Sequence, residues 1–301
     1  MNKINVIQNE SRNLQLLAAQ RQLYSEAKRA FGVYVIIFVP IAILLLAMNF
    51  IYPDLKPYSA LLGIAVSFAD IIWLTPFIKN KRALAARIQE EFDCSVLDLP
   101  IDTFKTGGGV DPELVLSKSE KYKGVAEKSP PLQNWYSPSV SEVPLTIARF
   151  ICQRSNCWWD LEQRKSYINY MLIILVSTFV AAILLSLAMN LYLIDFVLVI
   201  NTLMPLFVLG FRQRSEQLDS IIRLINLKNA IENGWAKILK NESKNEDEIL
   251  CRMLQSEIYE SRKRNPLVFD FIFKKLRNDF EERMNFGAEK YVEEAKRVLK
   301  L

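Results

Sequence analysis

The stretch YMLIILVSTFVAAILLSLAMNLYLIDFVLVINTLMPLFVLGF, residues 170–211, decides the fold class of this chain. Its 42 residues contain a single charged side chain, Asp195. A helix rises about 1.5 Å per residue and a bilayer core is roughly 30 Å thick, so the run is about twice as long as one membrane span requires. Asn190, Tyr192 and Asp195 suit a water interface near its middle. We therefore predict two transmembrane helices joined by a tight turn, rather than the buried hairpin of a soluble protein.

A second apolar pair precedes this one. Residues 31–52 form an apolar run that only Pro40 and Asn49 interrupt, and residues 58–77 form another after the turn-forming connector 53–57. Basic residues flank the four runs on one side, at Lys28, Arg29, Lys79, Lys81, Arg82, Arg87, Arg164, Lys165, Arg212 and Arg214. The positive-inside rule then places both termini and the central segment in the cytoplasm. The predicted fold class is an all-α membrane protein with four transmembrane helices in two hairpins and a helical cytosolic module.

This topology predicts five parts along the chain. They are an N-terminal cytosolic helix over 1–30, a transmembrane hairpin over 31–77, a cytosolic central segment over 78–169, a second hairpin over 170–211 and a C-terminal cytosolic helical region over 212–301. The localisation that follows is a multi-pass protein of the bacterial inner membrane with both termini in the cytoplasm.

The C-terminal region shows helical periodicity. Apolar side chains recur every three or four residues, so the fourth span is predicted to continue as an amphipathic helix through Leu224, Leu227, Ile231, Trp235 and Ile238. We predict a second helix from Glu246 to just before Asn265-Pro266, a third over 269–284 and a fourth over 288–298. The basic cluster 262–264 is interpreted as a solvated charge run, with lipid headgroups or a ligand as the alternative.

The composition limits the chemistry that the chain can perform. The formal charge of +5 (38 basic, 33 acidic) does not by itself imply nucleic acid, and part of the excess flanks apolar runs. The chain has no histidine, which removes the commonest general base, the Ser-His-Asp arrangement and most catalytic zinc sites. Cys94, Cys152, Cys157 and Cys251 form no CxxC pair and lie in predicted cytosolic segments. We expect reduced thiols and no structural zinc.

The central segment begins as a helix that continues the second span over 82–92. The triple glycine 107–109 has no following Lys-Ser or Lys-Thr, so it lacks the phosphate-binding P-loop signature and is interpreted as a flexible loop. Residues 118–133, rich in Lys, Ser, Glu and Pro, predict a mobile connector. Order is expected to resume at Trp135.

A helix predicted to begin after Pro144 concentrates Arg and aromatic side chains ahead of the third span. Arg149 and Arg164 are 15 residues apart, roughly four turns, and so face the same way. The planar fork of Arg pairs with phosphate, and Trp faces stack on bases. In the alternative interpretation, the tryptophans form an interfacial belt and the arginines pair with Asp160, Glu162 or lipid phosphates. The candidate ligand-binding residues are Arg149, Gln153, Arg154, Trp158, Trp159 and Arg164.

Three segments resemble a known family, the SMODS-associated four-transmembrane effectors of bacterial antiphage systems. They are LLAAQRQLYSEAK at 16–28, EFDCSVLDLP at 91–100, and CQRSN at 152–156, the last followed by Trp159-Asp160, Arg164 and Tyr167. Together with the number and order of the spans, the resemblance covers most of residues 10–240. The chain departs from the pattern at Ile101, where an aromatic residue is expected.

The resemblance implies an effector of cyclic-oligonucleotide-based antiphage signalling (CBASS). In such a system a cGAS/DncV-like nucleotidyltransferase makes a cyclic oligonucleotide when phage infects the cell. The messenger is then expected to bind the cytosolic side and to trigger homo-oligomerisation or rearrangement of the transmembrane helices. This permeabilises the inner membrane and kills the infected cell, an abortive infection. The implied partners are the bilayer, the messenger and further copies of the chain; no cofactor and no DNA or RNA polymer is implied.

Asp70 and Asn201 are polar residues inside the predicted spans. Asp70 is near the middle of the second span, where a lone carboxylate is costly and should face a bundle interior or water. Asn201, in the fourth span, can hydrogen-bond between helices. We predict that these residues line a pore or a helix interface. The alternative is a packing contact in which Asp70 is protonated or paired with Ser67 or Thr75.

Two other classes of function remain open from sequence. A membrane-anchored sensor or scaffold could recruit a partner through the C-terminal helices. An intramembrane enzyme using Asp70 is disfavoured, because no second carboxylate lies well inside a span and the chain has no histidine. We predict that the protein is not an enzyme.

Overall fold

Every element in the described part of the chain is helical. The computed structural model describes residues 2–123, 132–240 and 244–300. The short turns are 3₁₀ turns at Pro53–Leu55 and Pro138–Glu142 and a π-helical turn at Asp70–Leu74. The α-helices are α1 (Ile4–Ile7), α2 (Ser11–Ile51), α3 (Lys56–Ala69), α4 (Thr75–Leu97), α5 (Thr103–Thr106), α6 (Pro112–Lys123), α7 (Leu145–Ala188), α8 (Leu193–Ile238), α9 (Lys244–Arg264) and α10 (Asp270–Leu299). The all-α fold class is confirmed.

Three helices run without a break from polar into apolar sequence. Helices α2, α7 and α8 contain 41, 44 and 46 residues. At about 1.5 Å per residue each is roughly 60–70 Å long, about twice the thickness of a bilayer core. The predicted continuation of the fourth apolar run into a polar helix is therefore confirmed in α8. In α7, the helix predicted after Pro144 and the third apolar run form one helix. In α2, the predicted N-terminal helix and first apolar run form one helix.

The second apolar run is continuous with α4 except for the π-helical turn at Asp70–Leu74. Pro76 follows this turn at the start of α4 and has no N–H to donate to the carbonyl four residues earlier. The extra residue of the π turn accommodates that missing hydrogen bond. The turn also places Asp70, its first residue, in a buried position.

The main hydrophobic core lies among the polar ends of the long helices. Helix α2 packs against α4 and α6, α7 packs against α8 and α10, and α9 packs against α4 and α8. Fully buried side chains at the centre of this core are Leu17, Leu23, Ile88, Phe92, Phe150, Ile151 and Ile231. All five residues of the predicted apolar stripe of α8 are buried, so that prediction is confirmed.

The apolar ends of the helices are largely uncovered. Two helical stretches in the described residues are long and apolar enough to cross a bilayer, Pro57–Leu97 and Leu145–Ala188. Only 11% and 17% of the residues in their most apolar windows are buried, whereas the core helix of a soluble protein is mostly buried. Exposed apolar patches of this kind mark interaction with a membrane or a partner. Membrane crossing by α2 and by the first half of α8 stays a prediction.

The structure corrects two boundaries. The third and fourth C-terminal helices predicted over 269–284 and 288–298 are one helix, α10, because Gly287 continues the helix instead of ending it. The predicted mobile connector over 118–133 begins inside α6, where Lys118 Nζ lies 2.6 and 2.9 Å from the two carboxylate oxygens of Glu26. Residues 124–131 of that connector lie outside the described residues.

The triple glycine forms a turn after α5. Gly107 and Gly108 have φ angles of 74° and 103°, in the region that glycine adopts without a side-chain clash. Arg87 of α4 donates hydrogen bonds to the carbonyl oxygens of Gly108 and Gly109. The carbonyls therefore face a cation of the protein itself, which anchors this loop to α4.

Candidate ligand-binding cavity

A cavity of about 970 Å³ opens between the polar halves of α2, α7, α9 and α10 and the segment 133–135. Sites for small molecules and cofactors have volumes of roughly 300–1,000 Å³, so this one is at the upper end of the range. Its lining comes mainly from α2, α7, α8, α9 and α10. Of these helices, α2, α7 and α8 continue into apolar sequence.

Positive charge dominates the cavity wall. The carboxylates that line it are Asp160 and Glu281, which pair with Arg164 at 2.9 Å and with Arg277 at 2.8 Å. Six cations face two carboxylates in the lining, and Arg262 is also paired with Asp93 behind the wall, so an excess of three positive charges remains. This excess favours a ligand with several phosphates. The six cationic residues of the wall are Arg21, Lys28, Arg29, Arg164, Arg262 and Arg277.

Aromatic rings and amides accompany these charges. The guanidinium carbon of Arg21 lies 5.5 Å from the centroid of the Trp135 ring, and this ring packs edge-on against Phe92. A ring held in this way offers a flat surface on which a base can stack. Side-chain amides carry both donors and acceptors and can bond the edges of bases. The amide residues of the wall are Gln20, Gln89, Gln133, Asn134, Asn156, Gln163, Asn265 and Asn285.

Burial changes the electrostatics of the wall. Burial raises the pKa of the Tyr24 phenol to about 12, even though Arg262 nearby lowers it, so the phenol is a neutral hydrogen-bonding group. Burial lowers the pKa of the Arg21 guanidinium from its ordinary value, while Tyr122 opposes the shift. Arginine nevertheless remains protonated in proteins. A charge that has lost part of its water shell is stabilised strongly by a phosphate.

A buried polar network fixes Arg262 in the wall. Asp93 is fully buried and accepts hydrogen bonds from Arg262, from Tyr136 Oη at 2.7 Å and from Gln255 Nε2 at 3.0 Å. Burial lowers the pKa of the Arg262 guanidinium, but Asp93 and Tyr136 more than compensate and raise it above its ordinary value. Asn156, another wall residue, donates to Tyr136 Oη at 2.9 Å. The network therefore joins α4, α7 and α9 behind the cavity.

Of the six candidate ligand-binding residues, Trp159 and Arg164 line the cavity. Trp159 packs edge-on against Phe280, with ring centroids 5.8 Å apart. Arg164 is buried and donates to Gln217 Oε1 at 2.6 Å and to the carbonyl oxygen of Pro266 at 2.9 Å. It therefore braces α8 and the α9–α10 connection in addition to facing the cavity.

The other four candidates have partners within the protein. Arg149 donates to the carbonyl oxygens of Leu97 and Asp98. Gln153 donates to the carbonyl oxygen of Cys251 at 2.8 Å. The remaining two are held by ring contacts: Trp158 packs edge-on against Phe280, and the guanidinium carbon of Arg154 lies 4.3 Å from the centroid of the Tyr291 ring. These four are absent from the cavity lining, and their role toward a ligand stays a prediction.

The sequence interpretation missed several wall residues. Arg21 and Gln20 belong to the quoted segment 16–28, and the segment itself was therefore a usable signal. Trp135 was noted only as the point where order resumes. Arg262 belongs to a basic cluster that was interpreted as a solvated charge run, yet its side chain is engaged with buried Asp93. Only packing reveals that these residues meet.

Asp70 lies at a contact between the two apolar helix pairs. Its carboxylate accepts from Arg212 Nη2 at 2.9 Å and from Thr75 Oγ1 at 3.2 Å. It is buried, in contrast to Asn201, which is exposed on α8. The structure therefore brings Asp70 to a helix interface within one chain, and a part for either residue in a pore stays a prediction.

Cys157 lines the cavity, whereas Cys94, Cys152 and Cys251 do not. All four are buried free thiols. Burial raises the pKa of Cys157 and of Cys251 to about 12, which keeps these two thiols protonated. Among the residues that the structure describes, no group of three or more Cys, Asp or Glu side chains is placed to hold a metal ion.

The fold and the cavity define a class of protein: an all-helical, membrane-associated protein with a cationic, aromatic-lined cavity outside its apolar segments. Within this class, the profile of the SMODS-associating 4TM effector domain matches residues 2–291, and the chain belongs to that family. The match extends over nearly all of the described residues, including every wall of the cavity.

A curated relative agrees with this assignment. The chain is 24% identical over 288 residues to a protein of Bacillus cereus (strain VD146) that is described as a probable CBASS effector molecule. The similarity covers 92% of this chain and 94% of the relative. No solved structure matches the chain. Family membership supports an antiphage effector role.

Proposed function

We propose that this protein is an antiphage effector whose cytosolic cavity binds a cyclic oligonucleotide and whose four transmembrane helices then rearrange or oligomerise to permeabilise the inner membrane. The observation that carries the proposal is the cavity of about 970 Å³, with its excess positive charge and its stacking surface at Trp135. The protein acts by binding and rearrangement, without catalysing a reaction.

The cavity suits the messenger because it offers the three kinds of contact that a cyclic oligonucleotide needs. The cations match the phosphodiester groups, the aromatic rings match the base faces, and the amides match the base edges. The single relative described above carries a name from the same signalling system, which favours a nucleotidyltransferase product as the source of the ligand.

The route from the cavity to the bilayer is short. The segment 265–269, which joins α9 to α10, lines the cavity with all five of its residues. The Phe269 ring stacks on Phe31 at a centroid distance of 5.3 Å, where α2 enters its apolar part, and it contacts Tyr167 of α7. A ligand that displaces this segment therefore changes the packing of two helices at the proposed membrane surface.

The binding step is tested with purified full-length protein and a panel of cyclic di- and trinucleotides in calorimetry. Arg21→Gln should weaken binding by about 10- to 100-fold, because a hydrogen bond to a charged group contributes about 1.5–3 kcal/mol. Trp135→Leu should cost a similar factor through lost stacking. Arg12→Gln is the matched control, since Arg12 is on the same helix, pairs with Glu91 at the surface and lies outside the cavity. Equal affinities of Arg21→Gln and Arg12→Gln would refute this site.

The membrane step is tested in bacteria that express the chain together with the messenger found above. Membrane potential should collapse and an impermeant dye should enter. Asp70→Asn should weaken this response, because it removes the charge that holds Arg212 across the two helix pairs. An intact membrane potential with messenger bound would rule out killing by permeabilisation and would leave the scaffold function as the better explanation.

A further inference from the structure

A second cavity, of about 700 Å³, lies where the apolar helix pairs meet the cytosolic core. Its floor is apolar and includes Phe31, Ile78 and Leu209. Its walls come from the start of α4, from α8 just after the apolar run, and from the end of α9. Pro266 and Leu267 line both cavities, so this site and the first one share a wall.

The walls of the second cavity are cationic. The carboxylates among its lining residues are Asp70, Glu216 and Asp219, so that positive charges exceed negative ones by three. A basic pocket between transmembrane helices on the cytoplasmic side is the kind of site that binds anionic lipid headgroups. The cationic residues of the lining are Lys79, Arg82, Arg212, Arg223, Lys263 and Arg264.

Half of these charges have an ion-pair partner within the protein. Arg212 pairs with Asp70 at 2.9 Å, and Arg264 and Lys263 pair with Glu260 at 2.9 and 3.6 Å. Within the described residues, Lys79, Arg82 and Arg223 form no ion pair with a carboxylate at 4.0 Å or less.

The two arginines are held in place by neutral acceptors instead. Arg82 Nε donates to the carbonyl oxygen of Lys263 at 3.0 Å, and Arg223 Nη2 donates to Ser220 Oγ at 2.8 Å. These hydrogen bonds orient the guanidinium groups without placing a carboxylate in direct contact with them.

The electrostatics of the walls favour an anion. Burial lowers the pKa of the Arg82 guanidinium from its ordinary value; Tyr24 and Glu216 oppose the shift, whereas Arg164 and Arg223 add to it by repulsion. Burial also lowers the pKa of Arg223, although Asp219 opposes the change. Like charges that crowd one another in a partly dry site are stabilised when an anion enters between them.

We infer that the second cavity binds the phosphate group of an anionic phospholipid from the cytoplasmic leaflet, with the acyl chains lying along the apolar helices. A lipid fits better than a free phosphate because the cavity joins a cationic wall to an apolar floor at the point where the proposed spans begin. The inference rests on the proposed membrane topology, but it does not depend on the messenger. Occupation of the site would tie the first helix pair to the second through a molecule of the bilayer.

The test uses the full-length chain in nanodiscs of phosphatidylcholine alone and of phosphatidylcholine mixed with phosphatidylglycerol. Phosphatidylglycerol should raise the melting temperature by about 2–4 °C through preferential binding to the folded state. Native mass spectrometry should show retained phosphatidylglycerol. The double variant Lys79→Gln/Arg223→Gln should lose most of the temperature rise and retain about ten-fold less phosphatidylglycerol. Both side chains are exposed at the rim, so these changes leave the core intact.

Lys165→Gln/Lys228→Gln is the charge-matched control, because both residues lie on the flanking helices outside this cavity. This control should keep the full rise in melting temperature with phosphatidylglycerol and should retain as much phosphatidylglycerol as the unsubstituted protein. An equal response in both double variants would overturn the site. An equal rise from inorganic phosphate in phosphatidylcholine discs would show a free phosphate and overturn the lipid assignment. Cyclic-nucleotide binding on the same discs tests the first cavity separately, so either proposal can fail while the other stands.

Discussion

Replacing Asp93 by Asn should be the most destabilising conservative change in the main hydrophobic core. Asp93 is fully buried, and its two oxygens accept hydrogen bonds from Arg262, Tyr136 and Gln255. The substitution keeps the shape of the side chain but removes its charge. The amide group also cannot accept at both positions, so one donor loses its partner.

The size of the stability loss in Asp93→Asn follows from the positive charge of Arg262, which stays in the core. Arg262 keeps its positive charge because arginine does not deprotonate in proteins. Breaking a buried ion pair by removing one partner costs about 3–5 kcal/mol, since the other charge stays uncompensated. For a two-state domain the free energy of unfolding is typically 5–15 kcal/mol, so the loss is a large share of the total. The cavity wall that contains Arg262 should loosen as well.

The assay is urea unfolding of the detergent-solubilised protein, followed by circular dichroism and tryptophan fluorescence. Asp98→Asn is the matched control, because Asp98 ends the same helix, has a side chain 80% exposed and has a φ angle of 51° that Asn also adopts. We expect this control to lower the free energy of unfolding by less than about 0.5 kcal/mol. If the two variants unfold at the same urea concentration with equal slopes, the buried ion pair does not stabilise the core as described.

Two further predictions concern packing between the polar halves of the helices. Burial raises the pKa of Glu26, but hydrogen bonds from Lys118, Lys81 and Gln22 outweigh it and lower the pKa from 4.5 to about 2. The carboxylate therefore stabilises the fold fully above about pH 4.5, and this contribution is lost as the pH falls toward 2. Glu26→Gln should lower the free energy of unfolding by about 1 kcal/mol at neutral pH. In acid titrations, the difference in unfolding free energy between the variant and the unsubstituted protein should vanish near pH 2. A difference that does not change with pH would contradict the assignment. Gly234→Ala should destabilise the protein by about 1–3 kcal/mol in thermal melts, because the new Cβ would lie 2.7 Å from Phe150 Cε1. Gly32→Ala is the control. Its new Cβ would have no other atom within 4 Å, so this change should be neutral or stabilising.

The long helices could be predicted from sequence because apolar periodicity and uninterrupted apolar runs are local properties. The error in α10 is local as well. Gly287 costs a helix interior about 1 kcal/mol, but a helix that packs along its length continues through it. A Cβ at Gly287 would lie 3.6 Å from Arg154 Nη1, which is an ordinary van der Waals contact, so the packing of α10 does not require glycine there.

The cavity could be predicted only in part. Arg149 and Gln153 have the residue types of a ligand site, yet they bond the backbone carbonyls of Leu97 and Cys251. Sequence does not distinguish a polar side chain that satisfies a buried carbonyl from one that faces a ligand. Arg21, Trp135 and Arg262 come from segments more than 100 residues apart, and tertiary packing alone brings them to one wall.

The uninterrupted length of α7 has a mechanical consequence. A rod of 44 residues is roughly 66 Å long, so a tilt of about 5° at one end displaces the other by about 6 Å. A small rotation of α7 near a bound molecule therefore displaces the other end of the helix by about the width of a hydrated ion. Under the proposed mechanism, a modest shift at the cavity would therefore reach the far side of the bilayer without unfolding or a hinge.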